Sequence, residues 1–217
     1  MLFKFECDVT KDRTVSSSDW NSVNQDLLAV SYGEFDFNSN QDGILAFWTL
    51  KNPSFPERII RYPSRITTCQ FSKNNPNLIA GGTHNGIVAI WDIRKQGNQP
   101  ILANNDQNSK GKHSDCVWEV QWVGKGQKGG ESLVSISSDG RVVEWSMKKG
   151  LEFQDLMNLK RQNNPSQKEG QNEGVNFRQA AGFSFEFIKS EPNIYLASTE
   201  EATVYRCSKS YAETVHN

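Results

Sequence analysis

The sequence lacks any apolar run approaching the ~20 residues that a membrane-spanning helix needs. It also lacks a CxxC pair. Cys7, Cys69, Cys116 and Cys207 lie far apart, and His84, His113 and His216 have no His or Cys partner at ligand spacing, so no metal site is expected. Gly124 to Gly130, GKGQKGG, does not follow the GxxxxGK[ST] order of a phosphate loop, and no bound cofactor is predicted. Charge of one sign is missing too. Lys plus Arg total 24 against 25 Asp plus Glu, a net −1, which argues against the basic stripe of a nucleic-acid-binding surface. The opening MLFKFECDVTKD is too charged and too briefly apolar for a secretory signal. Cysteines inside or beside predicted strands then read as buried thiols in a reducing, intracellular compartment, with neither membrane nor nucleic acid as partner.

What is present is repetition. Ser132 to Met147, SLVSISSDGRVVEWSM, predicts two short strands around Ser138-Asp139-Gly140, with the glycine supplying the positive φ of a two-residue hairpin turn. Trp145 follows Gly140 by five residues. The same spacing recurs from Gly43 to Trp48 and from Gly86 to Trp91, and in weaker form from Ala202 to Cys207. Successive closing residues, Trp48, Trp91, Trp145 and Cys207, are 43, 54 and 62 residues apart; the first step matches the period of a four-stranded propeller blade. Upstream of each glycine position is a short apolar run, such as Leu27 to Val30 or Leu78 to Ala80. Before that comes a run ending in an aromatic, at Trp20, Phe71, Trp122 and Phe187.

The pattern predicts an all-β chain, a WD40 β-propeller of about four blades. Residues 1–12 are a lead-in or the end of a preceding blade. Blades follow at 13–63, 64–111 and 112–160, then a polar, disordered insert at 161–178 and a partial blade at 179–217. The segment 151–159 is expected to be an outer strand on repeat logic, and the fourth blade is expected to lack one. Such a count falls short of the usual ring of about seven blades, so the remaining blades come from a longer chain or another polypeptide. An open arc would leave unpaired edges, and poor solubility of the isolated chain is expected.

His113, Ser137 and Asp139 are the residue types of a catalytic triad. The repeat gives them another role. A His before the first strand, a Ser in the second, an Asp in the turn and a Trp in the third form a buried polar network in WD40 repeats, here His113, Ser137, Asp139 and Trp145. No GxSxG elbow accompanies the serine, and no enzyme activity is predicted. Trp48, Trp91 and Cys207 mark the equivalent place in the other blades. Trp122 is expected in the core, and Trp118 is a candidate anchor for a protein partner.

Longer stretches go beyond a generic repeat. Asp26 to Phe37 (DLLAVSYGEFDF), Trp48 to Ile59 (WTLKNPSFPERI), Pro100 to Trp122, Leu133 to Arg161 (ending KKGLEFQDLMNLKR) and Asn193 to Tyr211 (NIYLASTEEATVYRCSKSY) resemble the axonemal dynein intermediate chains. With CDVTKDRTVSS at the start, the combination most resembles the intermediate chain of the two-headed inner-arm I1/f dynein. The outer-arm intermediate chains carry similar text at NPSFPE, and a generic WD40 adaptor is the reading that the repeats alone support. The resemblance implies a non-catalytic scaffold in the axoneme of a cilium that grips dynein heavy chains, with other intermediate and light chains as partners, and helps regulate microtubule sliding. It also implies that the chain begins near the second blade of the family propeller, without the light-chain-binding extension, and stops before the last blades.

Overall fold

In the computed structural model, residues 4–33, 42–105, 110–125, 130–148, 150–161 and 179–210 are described. They form fifteen strands and, among the described residues, no helix. The first sheet holds β1 (Thr14–Trp20), β2 (Leu27–Gly33), β3 (Gly43–Thr49) and β4 (Arg58–Tyr62). The second holds β5 (Ile66–Phe71), β6 (Leu78–Thr83), β7 (Val88–Asp92) and the short β8 (Leu102–Ala103). The third is β9 (Val117–Gly124), β10 (Glu131–Ser137), β11 (Arg141–Ser146) and β12 (Glu152–Asn158). The last is β13 (Gly182–Phe187), β14 (Ile194–Thr199) and β15 (Val204–Ser208). Each is an antiparallel meander with strands in chain order, as propeller blades are built. The all-β reading therefore holds, and 152–158 is the outer strand that the repeat required. Residues 4–13 make a turned lead-in, with Thr10 and Lys11 N–H both on the Cys7 carbonyl. Of the insert expected at 161–178, residues 162–178 lie outside the described residues, as do the last residues, 211–217.

Cross-strand register shows why the spacing recurs. Trp48 faces Leu28, Trp91 faces Ile79, Trp145 faces Leu133 and Cys207 faces Tyr195. The four closing residues therefore occupy one position in four copies of a single unit. The β10–β11 connection differs from the two-residue turn expected. Ser138-Asp139-Gly140 is a three-residue loop between Ser137 and Arg141, with Gly140 at φ +78°. Three-residue hairpins end in a left-handed residue, which is where Gly140 sits. The equivalent place in the last sheet is Ala202, at φ +55°.

The cores lie between sheets. Leu45, Phe47 and Ile60 of the first pack with Ile66, Phe71 and Trp91 of the second. Ala80, Val88 and Ile90 of the second meet Val120, Trp122 and Trp145 of the third. Val134, Ile136 and Val142 of the third meet Phe185, Tyr195 and Cys207 of the last. Strands in the middle of this stack are buried on both faces, which explains the continuous apolar runs of β7 and β10, and β2 has its second face covered by Phe5, Cys7 and Val9 of the lead-in.

The inner strands are also linked by hydrogen bonds from carboxylate and amide side chains. Asp19 Oδ2 accepts from Phe71 N–H (2.8 Å) and Gln70 Oε1 accepts from Trp122 N–H (2.6 Å). Glu119 Oε2 accepts from Phe185 N–H (2.9 Å). In each case a side chain of the earlier blade satisfies a main-chain donor of the next. Such donors are costly to leave unpaired at an interface.

Candidate functional site

The polar residues singled out by the repeat meet in the third sheet. Asp139, in the β10–β11 loop, accepts from the main-chain N–H groups of Ser114 (3.0 Å) and Arg141 (2.9 Å). His113 Nδ1 stands 3.0 Å from its Oδ2, and the Asp139 side chain is almost wholly enclosed. A carboxylate at that distance places the ring proton on Nδ1, so Nε2 is the acceptor. Nε2 receives the hydroxyl of Ser135 at 2.8 Å, and Ser135 Oγ in turn accepts from the indole Nε1–H of Trp145 at 2.8 Å. The chain Trp145, Ser135, His113, Asp139 is therefore satisfied link by link. Burial alone would push the Asp139 carboxyl up. The His113 ring and the two main-chain donors outweigh it and hold the group below the usual carboxylate value.

The serine is a correction. Ser137, predicted to join the network, donates to the Asp115 carbonyl (3.1 Å) and accepts from Asp139 N–H (3.2 Å). It shapes the loop and does not touch Trp145. Ser135 was missed because the expectation took the serine nearest the turn. Register supplies the signal: Trp145 faces Leu133, so its indole reaches the next same-face residue, Ser135, two positions on.

Hydroxyl, imidazole and carboxylate stand here in the order of a serine-protease triad, yet the arrangement has no nucleophile. Ser135 and Trp145 are fully buried, and the oxygen that would attack is held by the indole. A triad serine must instead be exposed to substrate.

The other markers sit in the equivalent place with different chemistry. Trp91 has Gly81 at the serine position. Its Nε1–H donates to the Asn98 carbonyl (3.1 Å), and Tyr62 packs edge-on against it at 5.4 Å where His113 packs on Trp145. Trp48 packs on Phe5 at 5.4 Å, with Val30 at the serine position. Cys207 replaces the tryptophan altogether, and burial pushes its thiol up to about 11. Burial likewise pushes Cys69 up to about 11 and Cys116 to about 12, which leaves all three as inert, protonated thiols at neutral pH.

Trp118 is half-buried. Its Nε1–H donates to Ser138 Oγ (2.6 Å), and its ring packs edge-on against Phe183 of β13 at 5.8 Å, so it ties the third sheet to the last. Trp122 lies in the core as expected, with Nε1–H on the Gln70 carbonyl (3.0 Å).

With that geometry in place, comparison with known proteins is specific. Residues 5–151 match the family model of the dynein axonemal intermediate chain 3 WD40 domain. The chain belongs to the axonemal dynein intermediate chain WD40 family. Dynein axonemal intermediate chain 4 of rat is 45% identical over 222 residues, covering 98% of this chain and 27% of the relative. The human chain 4 is 44% identical over 224 residues, covering 98% and 26%. Dynein axonemal intermediate chain 1 of rat is 34% identical over 213 residues, covering 97% and 30%. The chain thus spans less than a third of the length of these relatives.

Proposed function

We propose that this chain is part of a non-catalytic intermediate-chain subunit of an axonemal dynein, in the inner arm I1/f. There it scaffolds the tails of dynein heavy chains beside other intermediate and light chains and helps regulate ciliary microtubule sliding. The observation that carries the reading is a family match across most of a chain folded as propeller blades, whose one triad-like constellation is closed to substrate. A propeller of this kind works by surface complementarity. The inner-arm assignment is supported by the SYGEFDF and KKGLEFQDLMNLKR stretches together. Identity is 45% to the rat chain named intermediate chain 4 and 34% to the rat chain named intermediate chain 1.

The test is biochemical fractionation of cilia from a cell that expresses the tagged full-length protein. It should remain with axonemes after membrane removal, leave them in high salt, and co-sediment with the two heavy chains of the inner-arm I1/f dynein. Co-sedimentation with outer-arm heavy chains would move the assignment to the outer arm. Absence from axonemes, or unchanged heavy-chain assembly in cells lacking the protein, would overturn the dynein role in favour of a general WD40 adaptor.

A further inference from the structure

Each inner strand carries one extra residue where its register with the second strand shifts. The shifts fall between Val15 and Ser17, Ile66 and Thr68, Val117 and Glu119, and Gly182 and Ser184. The extra residues are therefore Ser16, Thr67, Trp118 and Phe183, one β-bulge position in four copies of the blade. A bulge re-aims the side chain that it carries and is kept where that aim matters. In the first two sheets the aim is structural. Ser16 Oγ donates to the Ile66 carbonyl (2.6 Å), and the Thr67 hydroxyl donates to the Val117 carbonyl. Each carbonyl belongs to the residue just before the next bulge, so a small hydroxyl ties one inner strand to the next.

The third sheet gives up that tie. The Nε1–H of Trp118 turns back to Ser138 Oγ in the β10–β11 loop of its own sheet, and its ring meets the next bulge residue, Phe183, edge-on. Thr67 is 5% exposed, whereas Trp118 stays half-buried although β5 of the second sheet and β13 of the last both pack on β9. The opening at Trp118 is therefore no flank of the stack. A tryptophan held open where the repeat places a covered hydroxyl breaks the unit at one point, and such local departures gather at functional sites.

Charge selects the ligand. Residues 113–124, 137–140 and 179–187 make these two inner strands, the turns into them and the β10–β11 loop. They contain Asp115, Glu119, Asp139 and Glu186 and no Lys or Arg. Asp115 is exposed on the turn into β9, where its Oδ1 accepts from Cys116 N–H (2.7 Å) and its carbonyl accepts from Ser137 Oγ. Glu119 accepts from Phe185 N–H (2.9 Å) and from Gln121 Nε2 (2.8 Å), both neutral donors. An indole face beside carboxylates held by neutral donors suits a positive side chain, since ring and acids attract the same group.

We infer that Trp118 and Phe183 form a docking site for an extended basic segment of a partner protein. An arginine or lysine side chain lies on the Trp118 ring, with Asp115 as its counter-charge. The inference goes beyond the dynein role and rests on the bulge position and its charge, so its failure leaves that role standing.

Fluorescence anisotropy of the purified full-length protein tests it, using short labelled Gly- and Ser-rich peptides that carry several arginines, lysines or glutamates. The arginine and lysine peptides should bind with a Kd below about 100 µM, and the glutamate peptide should not. Trp118→Ala should weaken binding at least about tenfold and Asp115→Asn about threefold or more. Trp118→Phe keeps a ring against Phe183 and should fall between the wild type and Trp118→Ala. Glu152→Gln removes a carboxylate from the outer strand β12 and should leave binding unchanged. Circular dichroism checks that the variants fold; Trp118→Phe and Asp115→Asn carry the test if Trp118→Ala does not. Absence of binding by the basic peptides, equal binding of the glutamate peptide, or binding that survives substitution of Trp118 would overturn the inference. So would a loss in Glu152→Gln as large as that in Asp115→Asn, which would show a general attraction of charge and no site.

Discussion

Replacing Ser135 with alanine removes one hydroxyl and leaves two fully enclosed groups without partners: the Trp145 indole N–H and His113 Nε2. Each buried polar group left unpaired costs about 1–3 kcal/mol, so the loss should total about 2–5 kcal/mol. Ser137→Ala, only two residues away, deletes one hydroxyl bond to the Asp115 carbonyl and one from Asp139 N–H. Both are at the margin of the sheet, and about 1–2 kcal/mol is expected. Urea unfolding followed by tryptophan fluorescence separates the two. With a slope of about 2 kcal/mol per molar, Ser135→Ala should lower the midpoint by 1 M or more, roughly, and Ser137→Ala by about half of that or less. Trp145→Phe supplies the control, because it removes the indole donor itself. The double variant Ser135→Ala/Trp145→Phe should cost less than the sum of the singles by about 1 kcal/mol or more, as expected for two groups in one hydrogen-bonded chain. Equal losses for Ser135→Ala and Ser137→Ala, or additive losses for the pair, would refute the network as drawn.

Two carboxylates should bend the pH dependence of stability in opposite directions. The folded state holds Asp139 below its ordinary value, so its contribution is complete above that value, near pH 4, and is lost as pH falls through the folded one; Asp139→Asn should flatten this acid limb of a urea-midpoint titration. Asp19 is raised by burial, so its charged form costs stability above the folded value and the cost is relieved as pH falls. Asp19→Asn should therefore be neutral or stabilising at pH 7, and a loss comparable to that of Asp139→Asn would contradict this. Ala202→Gly relaxes a left-handed non-glycine residue and should raise stability by about 0.5–1 kcal/mol, read as an upward shift of the melting temperature. Gly86→Ala acts the other way. Gly86 lies at φ +80°, and an added Cβ would stand 2.1 Å from the His113 carbonyl oxygen, so a loss of about 3 kcal/mol or more is expected by the same melt.

The blade unit was legible because both its turns and its register leave marks in one dimension. Gly86 and Gly140 are forced by backbone conformation, and Trp48, Trp91 and Trp145 by a shared cross-strand position, so their spacing survives changes elsewhere. The network serine was not legible by proximity. Ser135 and Ser137 point to the same side of β10, and only pairing with β11 decides which one the indole meets. The fate of Trp118 was equally hidden, since its partner Phe183 is 65 residues away and belongs to another sheet. The chemistry between blades shows least of all. Asp19, Gln70 and Glu119 look like ordinary surface polar residues in sequence, and they acquire their role only when the next inner strand arrives.

The hydrogen bonds that Asp19 and Gln70 make to the next inner strand bear on how the molecule is made. Because Asp19 and Gln70 belong to the earlier blade in each pair, these two acceptors leave the ribosome before the donors that they will hold. Phe71 and Trp122 each lie 52 residues beyond their acceptors, so the loop closed at each of these steps is the same length and carries a similar entropic cost. Assembly can then proceed as templated growth during translation, each finished sheet offering a fixed landing edge to the strand that follows.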